Sequence, residues 1–424
     1  MKQRYVVWLL CVFLITISWM FSHQGFAGGL YLSNLSSPLS LGTAGVNNVV
    51  NNKTADAAYT NPAGMTGIDK DTLMPGLQII YPVVEFESSI AGDGGEDGEN
   101  SSFPGVIPGF NLVNVLSDKF RLGFAVTAPL GGGVDYGDNF VGRYAATRAV
   151  LSGLGLTPSI GYKISDAVSV GIGVTAIYTV MDLDVAINRK ALIPGAADGK
   201  VSLDKINGWG YQGILSLTWQ VTDKAMLGFV YRTKSNVTLE GDLEFQGTTL
   251  INSITGSPNN VEVEFDYAPV YAVGMAYDLT DSMRWIMDFD YEEWSKFSNN
   301  NFSIDAAVTS ITTAIDRKWD DTWHVGTGII KNMDGEIITA GIAYDSSPVD
   351  DADRTFDLAI DEQIKFGISY GKLREEGKVD YYIGLSYVWL GKGKIDQTNQ
   401  GVRVKGEFDR NYFVSLGGNI RYYF

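Results

Sequence analysis

Alternate residues of the C-terminal stretch YFVSLGGNIRYYF sort into two faces. Tyr412, Val414, Leu416, Gly418, Ile420, Tyr422 and Phe424 make an apolar face with aromatic ends; Phe413, Ser415, Gly417, Asn419, Arg421 and Tyr423 make a face that is mostly polar or small. Successive side chains of an extended strand point to opposite sides. This pattern therefore describes a strand with lipid on one side and a wet lumen on the other. The period recurs upstream, where Phe120, Leu122, Phe124 and Val126 oppose Arg121, Gly123, Ala125 and Thr127. Val168, Val170, Ile172 and Val174 likewise oppose Ser169, Gly171, Gly173 and Thr175, and Met283, Trp285, Met287 and Phe289 oppose Arg284 and Asp288. A soluble sandwich alternates too, but its exposed face carries many charges, whereas here the second face is often small or neutral.

Turn chemistry sets the strand count. Five tight Asp-containing turns recur, LSDK (116–119), ISDA (164–167), VTDK (221–224), LTDS (279–282) and NMDG (332–335), and KLREEGK (372–378) takes the same place in the series. Longer polar stretches alternate with them, near 88–104, 131–155, 185–207, 241–260, 299–318, 345–361 and 392–410. Six short and seven long connections imply fourteen strands. Short turns on one side and long loops on the other are the build of a bacterial outer-membrane barrel, and closure leaves no unpaired backbone edge in lipid. The expected fold is all-β, a 14-stranded antiparallel transmembrane β-barrel.

The N-terminus follows the order of a secretory signal: Lys2 and Arg4, an apolar run from Tyr5 to Phe21, then the small-x-small step Gly25-Phe26-Ala27. Cleavage after Ala27 is expected, with an uncleaved inner-membrane anchor as the alternative. Cleavage removes Cys11 and His23, leaving no thiol and a single imidazole, His324. Disulfides, cysteine-containing metal sites and cysteine catalysis are thereby excluded. Without Lys2 and Arg4, 30 basic residues face 49 acidic ones, a formal charge of −19 that argues against a nucleic-acid partner. Nothing after residue 27 offers the run of about 18 apolar residues that a spanning helix needs.

A fourteen-stranded lumen is wider than side chains of an eight-stranded barrel can fill. Residues 28–70, rich in Gly, Ala, Ser and Asn, are the only substantial segment outside the strand series. They read as a plug, or hatch, folded into the barrel, which gives a signal over 1–27, a hatch over 28–70 and a barrel over 71–424. TNPAGM lies at the inner end of the hatch. Pro62 forces Asn61 out of the α region and frees its amide to cap a turn, while Ala63 and Gly64 permit close backbone approach. A simple turn into the first strand is the competing reading. Five prolines, Pro75, Pro82, Pro104, Pro108 and Pro129, cluster in or beside the first three strands, which suggests interrupted pairing there, or else strand ends.

These stretches together resemble one family. ADAAYTNPAGM is similar to the Asn-Pro-Ala signature that follows the hatch in FadL-type outer-membrane transporters of long-chain fatty acids and other hydrophobic compounds. GFAVTAPLGGGVDYGDNFVGRYA (123–145), the segment 208–242, DFDYEEWSKF (288–297), WDDTWHVGTGI (319–329) and AGIAYDSSPVDDADRT (340–355) extend the likeness in order along the mature chain. The resemblance implies a fourteen-stranded barrel with an N-terminal hatch. It also implies passive uptake: capture at the outer face, hatch rearrangement, and lateral exit through a wall opening at a kink in the third strand. Pro129, Gly131, Gly132 and Gly133 are the nearest candidates for that opening.

The family's outer groove lies between the third and fourth extracellular loops, and here the third is short, which leaves an extended acyl groove in question. Leu192 and Ile193 offer an apolar landing patch, against a plain loop turn. A carboxylated ligand would want a cation; Arg143 and Arg148 are the candidates, with inward-facing Arg121, Arg232 and Arg284 set against simple pairing with acids. His324 faces inward, but the serine and orienting partner of a lipase are not visible at a recognisable spacing. The acidic loop 91–100 reads as solvated, with cation binding near lipopolysaccharide as its alternative. Expected partners are fatty acids, alkanes or aromatics, with outer-membrane lipid and lipopolysaccharide around a monomeric barrel; no cofactor, metal or nucleic acid is expected. A water-filled porin for small polar solutes is the main alternative, and an outer-membrane lipid hydrolase the next.

Overall fold

The computed structural model describes residues 37–101, 104–191, 193–247, 259–305, 310–373 and 379–424. The proposed signal, residues 28–36 of the hatch, Leu192 and most of the KLREEGK turn lie outside them. The segments along the first half are β1 (Thr72–Ala91), β2 (Gly98–Glu99), β3 (Gly105–Val115), β4 (Phe120–Asp135), β5 (Arg148–Lys163), β6 (Val168–Ile187), β7 (Gly199–Gln220), β8 (Ala225–Arg232) and β9 (Ser235–Gln246). There follow β10 (Asn259–Tyr267), β11 (Val270–Thr280), β12 (Met283–Glu292), β13 (Asn299–Asp305), β14 (Ser310–Asp316), β15 (Thr322–Met333), β16 (Glu336–Asp345), β17 (Gln363–Lys372), β18 (Val379–Trp389), β19 (Lys394–Asn399) and β20 (Val402–Tyr423).

Consecutive segments with short breaks, β8 with β9, β10 with β11, β12 with β13, β14 with β15 and β18 with β19, each form one traversal, and the two-residue β2 belongs to the first long connection, where it pairs with the end of β1, so the wall has fourteen antiparallel staves. β1 and β20 close it, paired from Thr72–Tyr423 to Ala91–Val404. Closure satisfies the edge backbone groups that lipid could not. Periodicity sets which side faces out: along β20 Leu416 and Ile420 are exposed, whereas Phe413, Ser415, Asn419 and Arg421 are buried in the lumen. The NMDG turn joining β15 to β16 has Asp334 at φ 31° and Gly335 at φ 80°, the pair of positive angles a two-residue hairpin needs.

The long connections are shorter than their polarity suggests. Of 185–207 only 188–198 lie outside strand, and β5, β9 and β20 likewise extend into polar stretches read as loop. The reason is physical: a stave that rises past the lipid keeps its ladder but exchanges its outward apolar residues for polar ones. The lumen also departs from a uniformly wet interior. At the long-loop end its inner face is apolar, with Leu130, Leu151, Ile177, Leu239, Val263 and Phe265 in one buried cluster.

The short-turn end of the lumen is filled by residues 37–71. They form α1 (Pro38–Gly42), α2 (Ala57–Thr60) and a 3-10 helix (Pro62–Gly67) joined by turns. Ala44, Val46 and Val50 pack against Met226, Ala276, Ile286 and Ala343 of the wall.

Candidate functional site

Asp56, fully buried, ties the hatch together: its carboxylate accepts from Ser37 Oγ at 2.5 Å and from Asn51 Nδ2 at 2.8 Å. Asn61 joins α2 to the 3-10 helix. Its backbone is extended, φ −154° and ψ 88°, as a residue before proline requires. Its Nδ2 donates to the Val49 carbonyl at 2.5 Å, and its Oδ1 accepts from the Gly64 N–H at 3.3 Å. A Cβ at Gly64 would collide with the Asn51 carbonyl, and the Ala63 N–H donates to Ser216 Oγ of β7 at 2.9 Å.

Glycines let the hatch backbone reach the wall. A side chain at Gly161 or Gly171 would meet Pro62, at Gly228 the Val49 carbonyl, at Gly341 the Thr43 carbonyl, at Gly367 the Leu41 carbonyl and at Gly384 that of Pro38. These are inward positions of staves spread around the barrel. Arginines complete the seat: Arg121 Nε donates to the Ile68 carbonyl at 2.7 Å, and Arg421 to that of Lys53 at 3.0 Å. Arg232 donates to the Tyr59 carbonyl at 2.7 Å and lies over the Tyr59 ring at 4.2 Å. Two of the arginines read from sequence as lumen cations thus serve hatch carbonyls, while Arg284 pairs with Asp278 at 2.6 Å.

The wall is broken beside this plug. β3 pairs with β4 only from Val115–Arg121 up to Phe110–Val126. Beyond that point Gly105–Gly109 of β3 remain paired with β1, and Leu130–Asp135 of β4 remain paired with β5. The two strands part, and Ala128 and Pro129 fall in the register shift between Thr127 and Leu130. The top of the gap is held where Ser101 N–H donates to the Asp135 carbonyl at 2.9 Å. Five residues separate Arg121 from Val126, about 17 Å along a strand. At a tilt near 40° that is about 13 Å of height, close to the middle of an apolar band about 25 Å tall. Pro129 sits at the break, whereas Gly131, Gly132 and Gly133 pair regularly with Ser152, Leu151 and Val150 and lie on the unpaired edge toward β3. Pro75 pairs with Phe110 of β3 and skips its pairing with β20 without shifting the register, and Pro82 pairs with Phe413 of β20; of the clustered prolines, Pro108 and Pro129 flank the gap.

Pro129 also lines a cavity of about 90 Å³ directly above the hatch. Its floor is Gly45, Asn48, Val49 and Tyr59, and its walls include Val230, Arg232, Ala272, Trp294 and Trp319. One side carries a charged group of residues. His324 Nδ1 lies 2.8 Å from Asp345 Oδ1, Lys365 Nζ lies 2.8 Å from Asp345 Oδ2, and on neighbouring β12 Asp290 stands opposite His324 with Asp288 two residues along. With both its nitrogens facing carboxylates, His324 forms no Ser-His pair, the arrangement a hydrolase of this type needs.

The other candidates lie at the mouth. Arg143 is buried and all its N–H groups are taken, by Asp198 at 3.0 Å, Asp93 at 2.7 Å, the Gly94 and Phe140 carbonyls and Tyr144. It knots the first three long loops together. Arg148 lies 3.4 Å from Asp182 and 3.9 Å from Asp135. Ile193 is exposed on the third loop. The sequence reading missed the cap formed by residues 346–361. Phe356 inserts among Phe86 and Phe140, with ring centroids 5.1 and 5.2 Å away. Arg354, 1% exposed, pairs with Asp351 and Asp361 and donates to the Ile360 and Lys394 carbonyls. Val349, Phe356, Leu358 and Ile360, scattered through an acidic run that also carries Arg354, were its only signal.

Comparison with known proteins agrees with this anatomy. Residues 18–424 match the family described as outer membrane protein transport protein (OMPP1/FadL/TodX). The chain is 22% identical to the long-chain fatty acid transport protein of Salmonella typhi over 405 residues, covering 89% of this chain and 91% of that one. A Pseudomonas aeruginosa FadL homologue superposes with a TM-score of 0.84 at 19% identity, over 94% of this chain and all of that one. The P. putida toluene transporter TodX does so with a TM-score of 0.73 at 15% identity, over 92% and 98%. A closed fourteen-stave barrel of this shape, matched by the family over nearly its whole length, places the chain in the outer membrane protein transport family OMPP1/FadL/TodX.

Proposed function

We propose that this protein takes up hydrophobic molecules passively: they are captured at the outer face, enter the apolar upper lumen, and leave sideways into the bilayer through the gap between β3 and β4. The gap carries the reading. A lumen stoppered by its hatch toward the periplasm and broken near mid-bilayer gives an apolar solute a downhill lateral exit. A polar solute gains nothing from that route, and a through-going water path would have to cross the buried hatch core; this favours the conduit over a porin. Export by a signal cleaved after Ala27 and a hatch beginning at residue 28 complete the proposal, in which no catalytic step is needed. Fatty acids, as for the Salmonella relative, and aromatics, as for TodX, are the substrate classes to try first.

The test is to bridge the gap. A Pro108→Cys/Ala128→Cys pair joined by a cleavable bis-maleimide should abolish uptake of labelled oleate or toluene, and cleavage of the linker should restore it. Uptake that persists through the cross-link would show that the solute leaves elsewhere.

A further inference from the structure

On the cavity wall above the hatch, three side chains of adjacent staves converge. Asp288 and Asp290 of β12 and His324 of β15 each bring one donor atom to within 4.8 Å of the others. Most charges around them are answered. Asp345 meets His324 and Lys365, and Glu292 accepts from Trp294 Nε1 at 2.5 Å; Arg232 donates from Nη2 to the Tyr59 carbonyl, while its Nη1 has no acceptor among the described residues. Asp288 and Asp290 are not: each has a buried carboxylate oxygen, Oδ1, with no hydrogen-bond donor. Asp288 is only 3% exposed, and its Oδ1 points at His324 Nε2 from 3.4 Å. The glycine at 326 makes room for that oxygen, since a Cβ there would come within 2.7 Å of it.

The histidine is oriented as a ligand would be. Its Nδ1 lies 2.8 Å from Asp345 and its Nε2 faces Asp288; once Nε2 gives up its proton to a metal ion, the Nδ1–H to Asp345 holds the ring with the Nε2 lone pair turned toward the two carboxylates, the carboxylate-behind-imidazole arrangement that fixes tautomer and ring angle at many metal centres. Two oxygens and one imidazole nitrogen, buried and carrying surplus negative charge, form a donor set for a divalent cation. The imidazole shifts preference from Mg²⁺ and Ca²⁺ toward Mn²⁺, Fe²⁺ or Zn²⁺.

We infer that Asp288, Asp290 and His324 bind one divalent transition-metal ion in the lumen, with Asp345 as the residue that positions His324. The site bridges β12 to β15 next to hatch residue Val46, which a side chain at Gly326 would also strike. It does not depend on the transport reading, because occupancy is measured directly.

The experiment uses the full-length protein expressed in cells and purified from outer membranes in detergent, stripped with a chelator and re-equilibrated with Zn²⁺ or Mn²⁺ at neutral pH. Metal per barrel is read by elemental mass spectrometry after gel filtration, and affinity by calorimetry. One ion per barrel is expected, with binding lost in Asp290→Asn and His324→Gln and weakened 10- to 100-fold in Asp345→Asn. Heat-modifiable migration checks that each variant is folded. Asp290→Asn neutralises a half-buried carboxylate without changing its volume and serves if His324→Gln fails to fold. Less than stoichiometric metal, or binding equal in the parent and both ligand variants, overturns the site.

Discussion

Asn61 shows how one side chain can set two elements. It caps the 3-10 helix through Gly64 and holds the preceding turn through Val49, so Asn61→Ala strips a buried carbonyl of its donor. That costs about 1–3 kcal/mol. We expect the variant to migrate as a folded barrel, to expose its hatch to protease and to lose uptake; a protease-resistant hatch with normal uptake would remove Asn61 from the mechanism. This residue was legible in the sequence because an Asn-Pro step restricts its own backbone. Arg143 was not. In sequence it is a free cation near the mouth, and only the three loops that converge on it supply Asp93, Asp198 and the two carbonyls. Its partner Asp93 gives a pH prediction. Hydrogen bonds from Lys190 and Tyr144 hold the Asp93 carboxyl below the usual carboxylate value of 3.8. A depressed folded-state pKa contributes stability above the unfolded value and loses it as pH falls through the folded one. The loop knot should therefore stay protected from hydrogen exchange at neutral and mildly acid pH and loosen only below about 3.8. Loosening near pH 6 would point to another group.

At the level of elements, the period of two told which face of each stave looks inward, yet the reason for small inward residues differs from the one periodicity suggests. Glycine at 341, 367 and 384 is the footprint of the hatch on its wall, and a wet lumen alone would not demand it. Gly367→Val should force Leu41 away and weaken the seat by about 1–3 kcal/mol, the usual cost of overpacking. Raised single-channel conductance with an intact barrel is the expected result, and an unchanged, closed channel would show that the hatch does not depend on this contact. The parting of β3 from β4 was half visible: Pro108 and Pro129 signalled broken pairing, but Pro82 carried the same signal and sits in a continuous ladder, and Pro75 interrupts its pairing to β20 without shifting the register. A proline disturbs a ladder only where its missing N–H would have pointed at a neighbour. Loop lengths were overestimated because polarity reports water, and staves above the lipid stand in water while still paired.

For the whole molecule, we expect hatch and cap to serve as two stoppers on one lumen. Deleting residues 37–67 should leave a heat-modifiable barrel that conducts ions, whereas the intact protein stays closed; a deletion that remains closed would assign the seal to the outer cap. Arg354→Ala removes the side chain that pairs with Asp351 and Asp361 and gathers the cap carbonyls. Burying those groups without their donor should cost several kcal/mol, read as faster proteolysis of 346–361 with the barrel intact. The chain alone determined the barrel, its fourteen staves, their inward faces and the end that carries short turns, because alternation and turn chemistry act between residues near one another in sequence. Tertiary structure alone decided where the ladder parts, which glycines admit the hatch, which loops Arg143 ties and which acids surround His324. Those depend on residues of different staves, loops and hatch turns, which strand pairing around the wall and the seating of hatch and loops in the lumen bring within a few ångströms of each other.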